Sequence, residues 1–379
     1  MTGKFLVRSC IALVSIVLFT LITLIPGKHS LRAGVPSKAN DQEKTVEQVK
    51  KNIQVLKGLP ASQLSMVMDY MATSLGVRCD HCHVIDTTGW YMDKDDKPTK
   101  RTARKMLQMV MDLNAKNFGG RNEVSCYTCH RGSSEPAKLI PLPQPPAKAT
   151  QEEAEVAPSL PSFEQELAMY ENALGGTDAL KKITSRVMKG VSVDAQGREM
   201  PLEIVQQSPD KYAATVSMRE GMTSTRAFNG TSGWMSSPRG ARELPPEASE
   251  ELKHEAQLFP LARIQELSKT MHVSDKDTVN GTTAYILSAP AGEHATERYY
   301  IDAATGLLLR KSTVTETMIG NIPEQIDYSD YRAVDGVKVP FTIRISAVDP
   351  RDCSTQRFSS IEQNVPIDEK KFEMPKGKK

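Results

Sequence analysis

This sequence has little charge of one sign: 48 Lys and Arg stand against 46 Asp and Glu, a net +2 over 379 residues. No basic tract breaks that balance, which argues against nucleic acid as a partner. Catalytic signatures are missing too. Residues 163–379 hold no nucleophile motif and no phosphate-cradling loop, and His254, His272 and His294 are scattered without metal-ligand spacing. No internal repeat extends across the two halves. Long apolar runs are absent apart from Cys10 to Pro26, which follows Lys4 and Arg8. A basic lead and an apolar core make an export signal. The run is at the short end for a spanning helix, and Ser37-Lys38-Ala39 is a distant cleavage pattern. Residues 1–28 are therefore expected to be an uncleaved anchor in the inner membrane, with a cleaved signal and a soluble periplasmic protein as the alternative. Either way, the remainder lies outside the cytoplasm.

Cysteine is also sparse, with six in the chain. Four of them form two identical pairs, which leaves Cys10 in the apolar run and Cys353 alone near the C-terminus, so no disulfide framework is implied. The length is too great for one ordinary core and suggests two domains. Residues 29–50 are polar and read as a tether. Residues 51–132 are helical, Met-rich and carry both cysteine pairs. Residues 133–162 are dense in Pro, Ala, Lys and Glu, a composition that forms an extended linker rather than a core.

Beyond the linker, residues 163–379 open with a helix over roughly 163–173, ended by Gly175-Gly176, and a second over 178–185. Period-two alternation then takes over, as in Tyr212-Ala213-Ala214-Thr215-Val216, with Asn229-Gly230, Asn280-Gly281 and Asp335-Gly336 at hairpin-turn positions. One further helix is expected near 247–267. The predicted fold is multidomain: an N-terminal all-α domain, then an α+β domain built on an antiparallel sheet.

What the sequence does have is Cys79-Asp80-His81-Cys82-His83 and Cys126-Tyr127-Thr128-Cys129-His130, both C-x-x-C-H. Two thiols three residues apart add to the two vinyl groups of one haem, and the adjacent His then falls under the iron. Zinc needs four ligands closing around one ion, and a thioredoxin-like reading needs a surrounding βαβ pattern. The expectation is two covalently bound haem c groups, attached through Cys79, Cys82, Cys126 and Cys129, with His83 and His130 as proximal ligands. For the sixth ligand, Leu64, Val67, Met68, Met71 and Leu75 share one helical face, with Met66 pointing away and Gly76 ending the helix. Pro98 and Thr99 open a second helix with Ala103, Met106, Met109, Val110 and Leu113 on one face. Core packing is the competing reading for any single methionine. His/Met ligation is nevertheless expected at both haems, and a thioether ligand raises the reduction potential. Trp90 and Tyr91 are either haem-edge walls or core aromatics. Arg101, Arg104 and Lys105 either neutralise propionates or form a solvated helix face.

The stretch Ser74-Leu75-Gly76-Val77-Arg78-Cys79 with Cys82-His83, and the block Ala103-Arg104-Lys105-Met106-Leu107-Gln108-Met109-Val110 with Val124-Ser125-Cys126-Tyr127-Thr128-Cys129-His130-Arg131-Gly132, resemble the tetrahaem cytochrome subunit of photosynthetic reaction centres. The resemblance implies an axial Met on the helix ahead of each C-x-x-C-H. It selects Met68, eleven residues before Cys79, and Met106, twenty before Cys126; Met71 and Met109 are the alternates. Only two haem motifs exist here, and residues 115–125 contain no His, so a photosynthetic role does not carry over.

The C-terminal region resembles the outer-membrane lipoprotein-sorting superfamily through Ala173-Leu174-Gly175-Gly176, Phe228-Asn229-Gly230, Gly233-Trp234, Tyr300-Ile301-Asp302, Thr305-Gly306-Leu307-Leu308, Asp327-Tyr328-Ser329-Asp330-Tyr331-Arg332 and Gly336-Val337-Lys338-Val339-Pro340. That resemblance implies a curved half-barrel that serves for docking or holds an apolar ligand. The functional expectation is electron transfer between redox donor and acceptor proteins, including a membrane electron-transport complex. The alternatives are a haem sensor or peroxidase-like enzyme, which needs an open iron position, and a carrier of lipid or another apolar ligand with a redox-active haem domain.

Overall fold

The computed structural model describes residues 43–139, 160–218 and 221–375. The expected anchor over 1–28, most of the tether and the Pro-rich heart of the linker lie outside the described residues. The described residues from Lys44 onward form one compact unit.

The helical part begins with α1 (Val46–Val49), followed by α2 (Leu64–Leu75), α3 (Pro98–Asn117) and α4 (Cys126–His130). Helix α2 ends at Gly76 in the left-handed region (φ 64°), the conformation a glycine reaches without a Cβ clash. Pro98 opens α3 at its first turn, where a missing N–H costs nothing. The all-α expectation needs correcting. Strands β1 (Val84–Asp86) and β2 (Gly89–Tyr91) pair antiparallel between the two long helices. The Asp86 carboxylate accepts from the Thr88 and Gly89 N–H groups at 2.8 and 3.1 Å and so closes the turn. Val46, Leu56, Leu59, Val67, Tyr70 and Leu107 form the core of this part.

In the C-terminal part, Ser162 caps α5 (Phe163–Leu174) in a capping box with Gln165, and α6 is Thr177–Lys181. Thirteen strands among the described residues then build one large antiparallel sheet. The chain runs outward through β3 (Ser185–Asp194), β4 (Glu199–Gln207), β5 (Lys211–Ser217), β6 (Thr223–Asn229), β7 (Gly233–Ser237) and β8 (Gly240–Glu243). It crosses through α7 (Pro246–Glu255) and α8 (Leu261–Glu266). It then returns through β9 (His272–Val279), β10 (Thr282–Pro290), β11 (Ala295–Asp302), β12 (Leu308–Thr317), β13 (Gly320–Val334), β14 (Val337–Ser346) and β15 (Ser354–Gln363). Strand β15 pairs with β3, so the first and last strands meet in the middle of the sheet.

The three expected turns are where the sequence puts them. Asn280 and Gly281 (φ 50° and 86°) join β9 to β10, and Asp335 and Gly336 (φ 47° and 83°) join β13 to β14. Asn229 accepts from the Thr231 and Ser232 N–H groups between β6 and β7. The single helix expected near 247–267 is two helices separated by residues 256–260, where Pro260, the N-cap of α8, has no N–H to carry one ladder through. Tyr170 and Leu174 of α5, Leu252 of α7 and Ile264 of α8 pack with Leu287, Tyr299, Ile301 and Phe341 into the main core.

The sheet also completes the helical core. Ile319 and Ile322, at the β12–β13 corner, are 0% and 1% exposed and belong to the cluster of Val67, Tyr70 and Leu107. Asn122 donates to the Thr317 carbonyl at 2.8 Å, and Thr73 donates to the Val348 carbonyl at 2.9 Å. Arg351, after β14, pairs with Asp69 of α2 at 3.3 Å.

Candidate functional site

The first C-x-x-C-H occupies a short 3-10 turn, Cys79–His81, and the His83 N–H closes it on the Cys79 carbonyl at 2.9 Å. The His83 ring is half-buried, and its Nδ1 sits 3.2 Å from the Met92 carbonyl, just beyond β2. A ring whose Nδ1–H donates to a carbonyl presents Nε2 as its lone-pair nitrogen. Burial, with Lys100 nearby, lowers the His83 pKa and favours the neutral ring that a metal needs. Burial also raises the Cys82 thiol.

Helix α3 braces this loop. Lys100 is buried and donates to the Met92 and Lys94 carbonyls, both at 2.7 Å. Thr99 donates to the His81 carbonyl at 2.5 Å, and Lys97 bonds the Asp80 carbonyl. Arg104 pairs with Asp95 at 2.8 Å and reaches the Asn52 carbonyl at 3.1 Å. The bond from Arg104 holds the Asp95 carboxyl well below the usual carboxylate range.

The second C-x-x-C-H forms α4 itself, opened by Ser125 in a capping box with Thr128. Tyr70 of α2 donates to the Ser125 hydroxyl at 2.7 Å. His130 repeats the arrangement of His83: its Nδ1 lies 2.9 Å from the Ser133 carbonyl. Cys126 is half-buried, with its thiol raised by burial, whereas Cys129 is exposed. The two motifs lock together through glycine. The Gly132 N–H donates to the Ser74 carbonyl at 2.9 Å, and a Cβ on Gly76 would stand 2.1 Å from the Gly132 carbonyl oxygen.

The candidate sixth ligands fall in two settings. Met68 and Met71 are half-buried on α2 and pack against the helical core. Met66, expected to point away, packs against the same cluster. On α3 the expected single stripe splits. Leu107 and Val110 face the protein with Lys100 and Asn114, while Met106, Met109 and Leu113 are 39%, 49% and 38% exposed. An open, shallow cleft lies along that exposed side, lined by α3 residues alone, Lys105, Met109 and Leu113 among them.

Trp90 is 64% exposed on β2, so it is not a core aromatic. Tyr91 is half-buried and shares a 2.7 Å hydrogen bond with Thr88. Arg101 and Arg104 are both committed to the Asp95 loop, and Lys105 is exposed beside the cleft. Two contributions have no signal in the sequence: Met92 and Ser133, which hold the imidazoles through backbone carbonyls. A carbonyl bond has no side-chain signature.

At each motif two thiols and an imidazole with Nδ1 already engaged match the donor set for covalent haem attachment. Exposed apolar side chains, Trp90 and Tyr127 near the motifs in sequence and Met106, Met109 and Leu113 on α3, are the kind that a flat apolar macrocycle would cover.

Residues 24–183 match the family described as photosynthetic reaction centre cytochrome C subunit. Cytochrome c-554 of Chloroflexus aurantiacus is 37% identical over 89 residues, covering 22% of this chain and 20% of that protein. The photosynthetic reaction center cytochrome c subunit of Roseobacter denitrificans is 30% identical over 142 residues, covering 35% and 37%. The subunit from Thermochromatium tepidum is 34% identical over 93 residues, covering 24% and 22%. The chain thus spans well under half the length of these curated relatives.

Among solved structures, a DUF1329 family protein from Desulfovibrio piger aligns with 55% of this chain and 96% of its own at 12% identity and a TM-score of 0.41. A putative outer membrane lipoprotein-sorting protein domain from Vibrio parahaemolyticus gives the same coverage at 13% and 0.38. Scores that low carry no argument about what the sheet does. The N-terminal region, with both C-x-x-C-H motifs inside the matched span, resembles the photosynthetic reaction centre cytochrome c subunit family.

Proposed function

We propose that the chain is a periplasmic two-haem c-type cytochrome that passes electrons between a soluble or membrane-bound donor and an acceptor. In this reading the N-terminal segment holds it at the inner membrane. The observation that carries the proposal is the matched pair of imidazoles, His83 and His130, each with Nδ1 set on a backbone carbonyl directly after two cysteines. Bound haem would supply one-electron chemistry at each motif.

The chain's own residues do the rest. Cys79 and Cys82, and Cys126 and Cys129, attach the two groups, and His83 and His130 present Nε2 to the metal. Met68 and Met106 would be the further ligands to the iron, with Met71 and Met109 as the alternates, and would so exclude small ligands. The interlock of Gly76 with Gly132 keeps the two motifs at one fixed separation, and the Ile319–Ile322 corner keeps water out of the helical core between them. The sheet supports that corner and offers a broad face for docking a redox partner such as a membrane electron-transport complex.

The test is the visible spectrum of the protein matured with a haem-attachment system, ferric and ferrous, with and without CO. A pyridine haemochrome assay counts the haems. The expected result is two haems per chain, low-spin and indifferent to CO, with the red charge-transfer band of a Met–iron bond. A high-spin, CO-binding haem would overturn the carrier reading in favour of sensing or peroxide chemistry.

A further inference from the structure

The two C-x-x-C-H motifs are alike, but the carbonyls that hold their imidazoles are not. At the first, the Met92 carbonyl lies 3.2 Å from His83 Nδ1 and also accepts from Lys100 Nζ at 2.7 Å. At the second, His130 Nδ1 lies 2.9 Å from the Ser133 carbonyl, and among the described residues no lysine or arginine donates to that oxygen. Arg131 follows His130 in the chain but is exposed.

Lys100 is fixed in place. It is 8% exposed, and a lysine is almost never buried unless its charge is met. Its other contacts are the Lys94 carbonyl at 2.7 Å and the Asp95 carboxylate at 3.2 Å. Three acceptors suit the three N–H bonds of one ammonium. Asp95 does not cancel that charge, because Arg104 takes the same carboxylate at 2.8 Å. Two cations share one carboxylate, and Lys100 is too deep for salt to screen it well. The carboxylates elsewhere around this motif are engaged with other partners: Asp80 with Arg78, and Asp69 and Asp349 with Arg351. None of them bonds the His83 ring or its carbonyl.

We propose, resting on the two-haem reading above, that Lys100 makes the haem held by His83 the higher-potential one of the pair, so that electrons run from the His130 motif to the His83 motif. Lys100 is a positioning residue that acts through Met92 and His83 in two ways. A carbonyl shared with an ammonium accepts more weakly from Nδ1–H, so the His83 ring is a less basic ligand than His130 and stabilises ferric iron less. The fixed positive charge also opposes the extra charge of the ferric state. Each transfer moves one electron: the iron at His130 goes from ferrous to ferric as the iron at His83 goes from ferric to ferrous.

The test is a potentiometric titration of the full haem-loaded chain, with the haems counted in each sample. The native protein should show two resolved one-electron steps. Lys100→Met keeps the apolar stem and removes the charge. It should shift the higher step down by roughly tenfold or more in the ferric–ferrous equilibrium, about 59 mV for a one-electron couple, and leave the lower step in place. Lys100→Arg should keep the higher step, which a loss of packing alone would not predict. His130→Ala assigns the steps without touching Lys100: whether the second haem is shifted or lost, the higher native step should persist. A higher step that ignores Lys100→Met, or one that disappears in His130→Ala, would overturn the proposal while two haems per chain are still counted. A native count below two would overturn the two-haem reading, and this assignment with it.

Discussion

Helix α3 sets two adjacent residues against each other: Leu107, 4% exposed in the core, and Met106, 39% exposed beside the cleft. If Met106 served only to fill space, its loss would matter little. A side chain that exposed forfeits only part of the burial energy of a core methionine, and Met106→Ala should cost no more than about 1 kcal/mol of stability. Leu107→Ala removes a fully buried side chain and should cost about 2–5 kcal/mol. As a metal ligand, Met106 predicts the opposite ordering in the spectrum. Met106→Ala should abolish one red Met–iron band, open that haem to CO and lower its reduction potential, whereas Leu107→Ala should leave the haem bands in place while the protein melts earlier. The assay is a paired measurement on each variant: thermal unfolding by circular dichroism, and ferrous spectra with and without CO. Met109→Ala belongs in the same series, because Met109 shares the exposed side. An unchanged spectrum in Met106→Ala with a lost band in Met109→Ala would move the ligand by three residues, to Met109. Unchanged spectra in both, and in the double variant, would refute Met ligation from α3.

Ile322→Ala, at a site 1% exposed where the sheet enters the helical core, should cost about 2–5 kcal/mol. Because that core borders the second motif, CO access to the haem at His130 should rise in the variant; wild-type melting and CO resistance would show that the corner seals nothing. Asp95 yields a pH prediction. Its folded pKa is lowered, chiefly by Arg104, so its contribution to stability is present above the ordinary carboxylate range and is lost as the pH falls through the lowered value. The melting-temperature gap between the native protein and Asp95→Asn should therefore be flat above about pH 5 and shrink below about pH 4; a gap unchanged down to pH 2 would rule out the Asp95–Arg104 pair as its source.

Much of this protein is legible locally. C-x-x-C-H carries its chemistry in five consecutive residues. Gly76 and Pro98 mark helix ends through backbone preferences that need no neighbours, and Asn280-Gly281 and Asp335-Gly336 dictate hairpins for the same reason. The small hairpin at Asp86 is not legible, because three-residue strands show too little alternation to be read.

The face of α3 was not legible either, and the reason is physical. Hydrophobic periodicity assumes that the buried side is the apolar one. Here the side turned to the protein includes Lys100 and Asn114, each spent on backbone groups: Lys100 on the Met92 and Lys94 carbonyls, Asn114 on both the N–H and the carbonyl of Val124. Their burial is favourable only because those partners are in place, and the partners come from other segments. The same holds for Ile319 and Ile322, which read as ordinary strand residues yet complete a core made of helices some two hundred residues earlier in the chain. It holds again for the Met92 carbonyl, which takes His83 and Lys100 together only once α3 packs beside the first motif. The sequence by itself determined the covalent chemistry, the helix ends and the hairpin turns, since each depends on a few adjacent residues. Only the tertiary structure decided which methionines remain uncovered, where the sheet enters the helical core and which imidazole shares its carbonyl with a lysine, because each of these is set by what another segment brings, or fails to bring, within hydrogen-bonding or van der Waals reach.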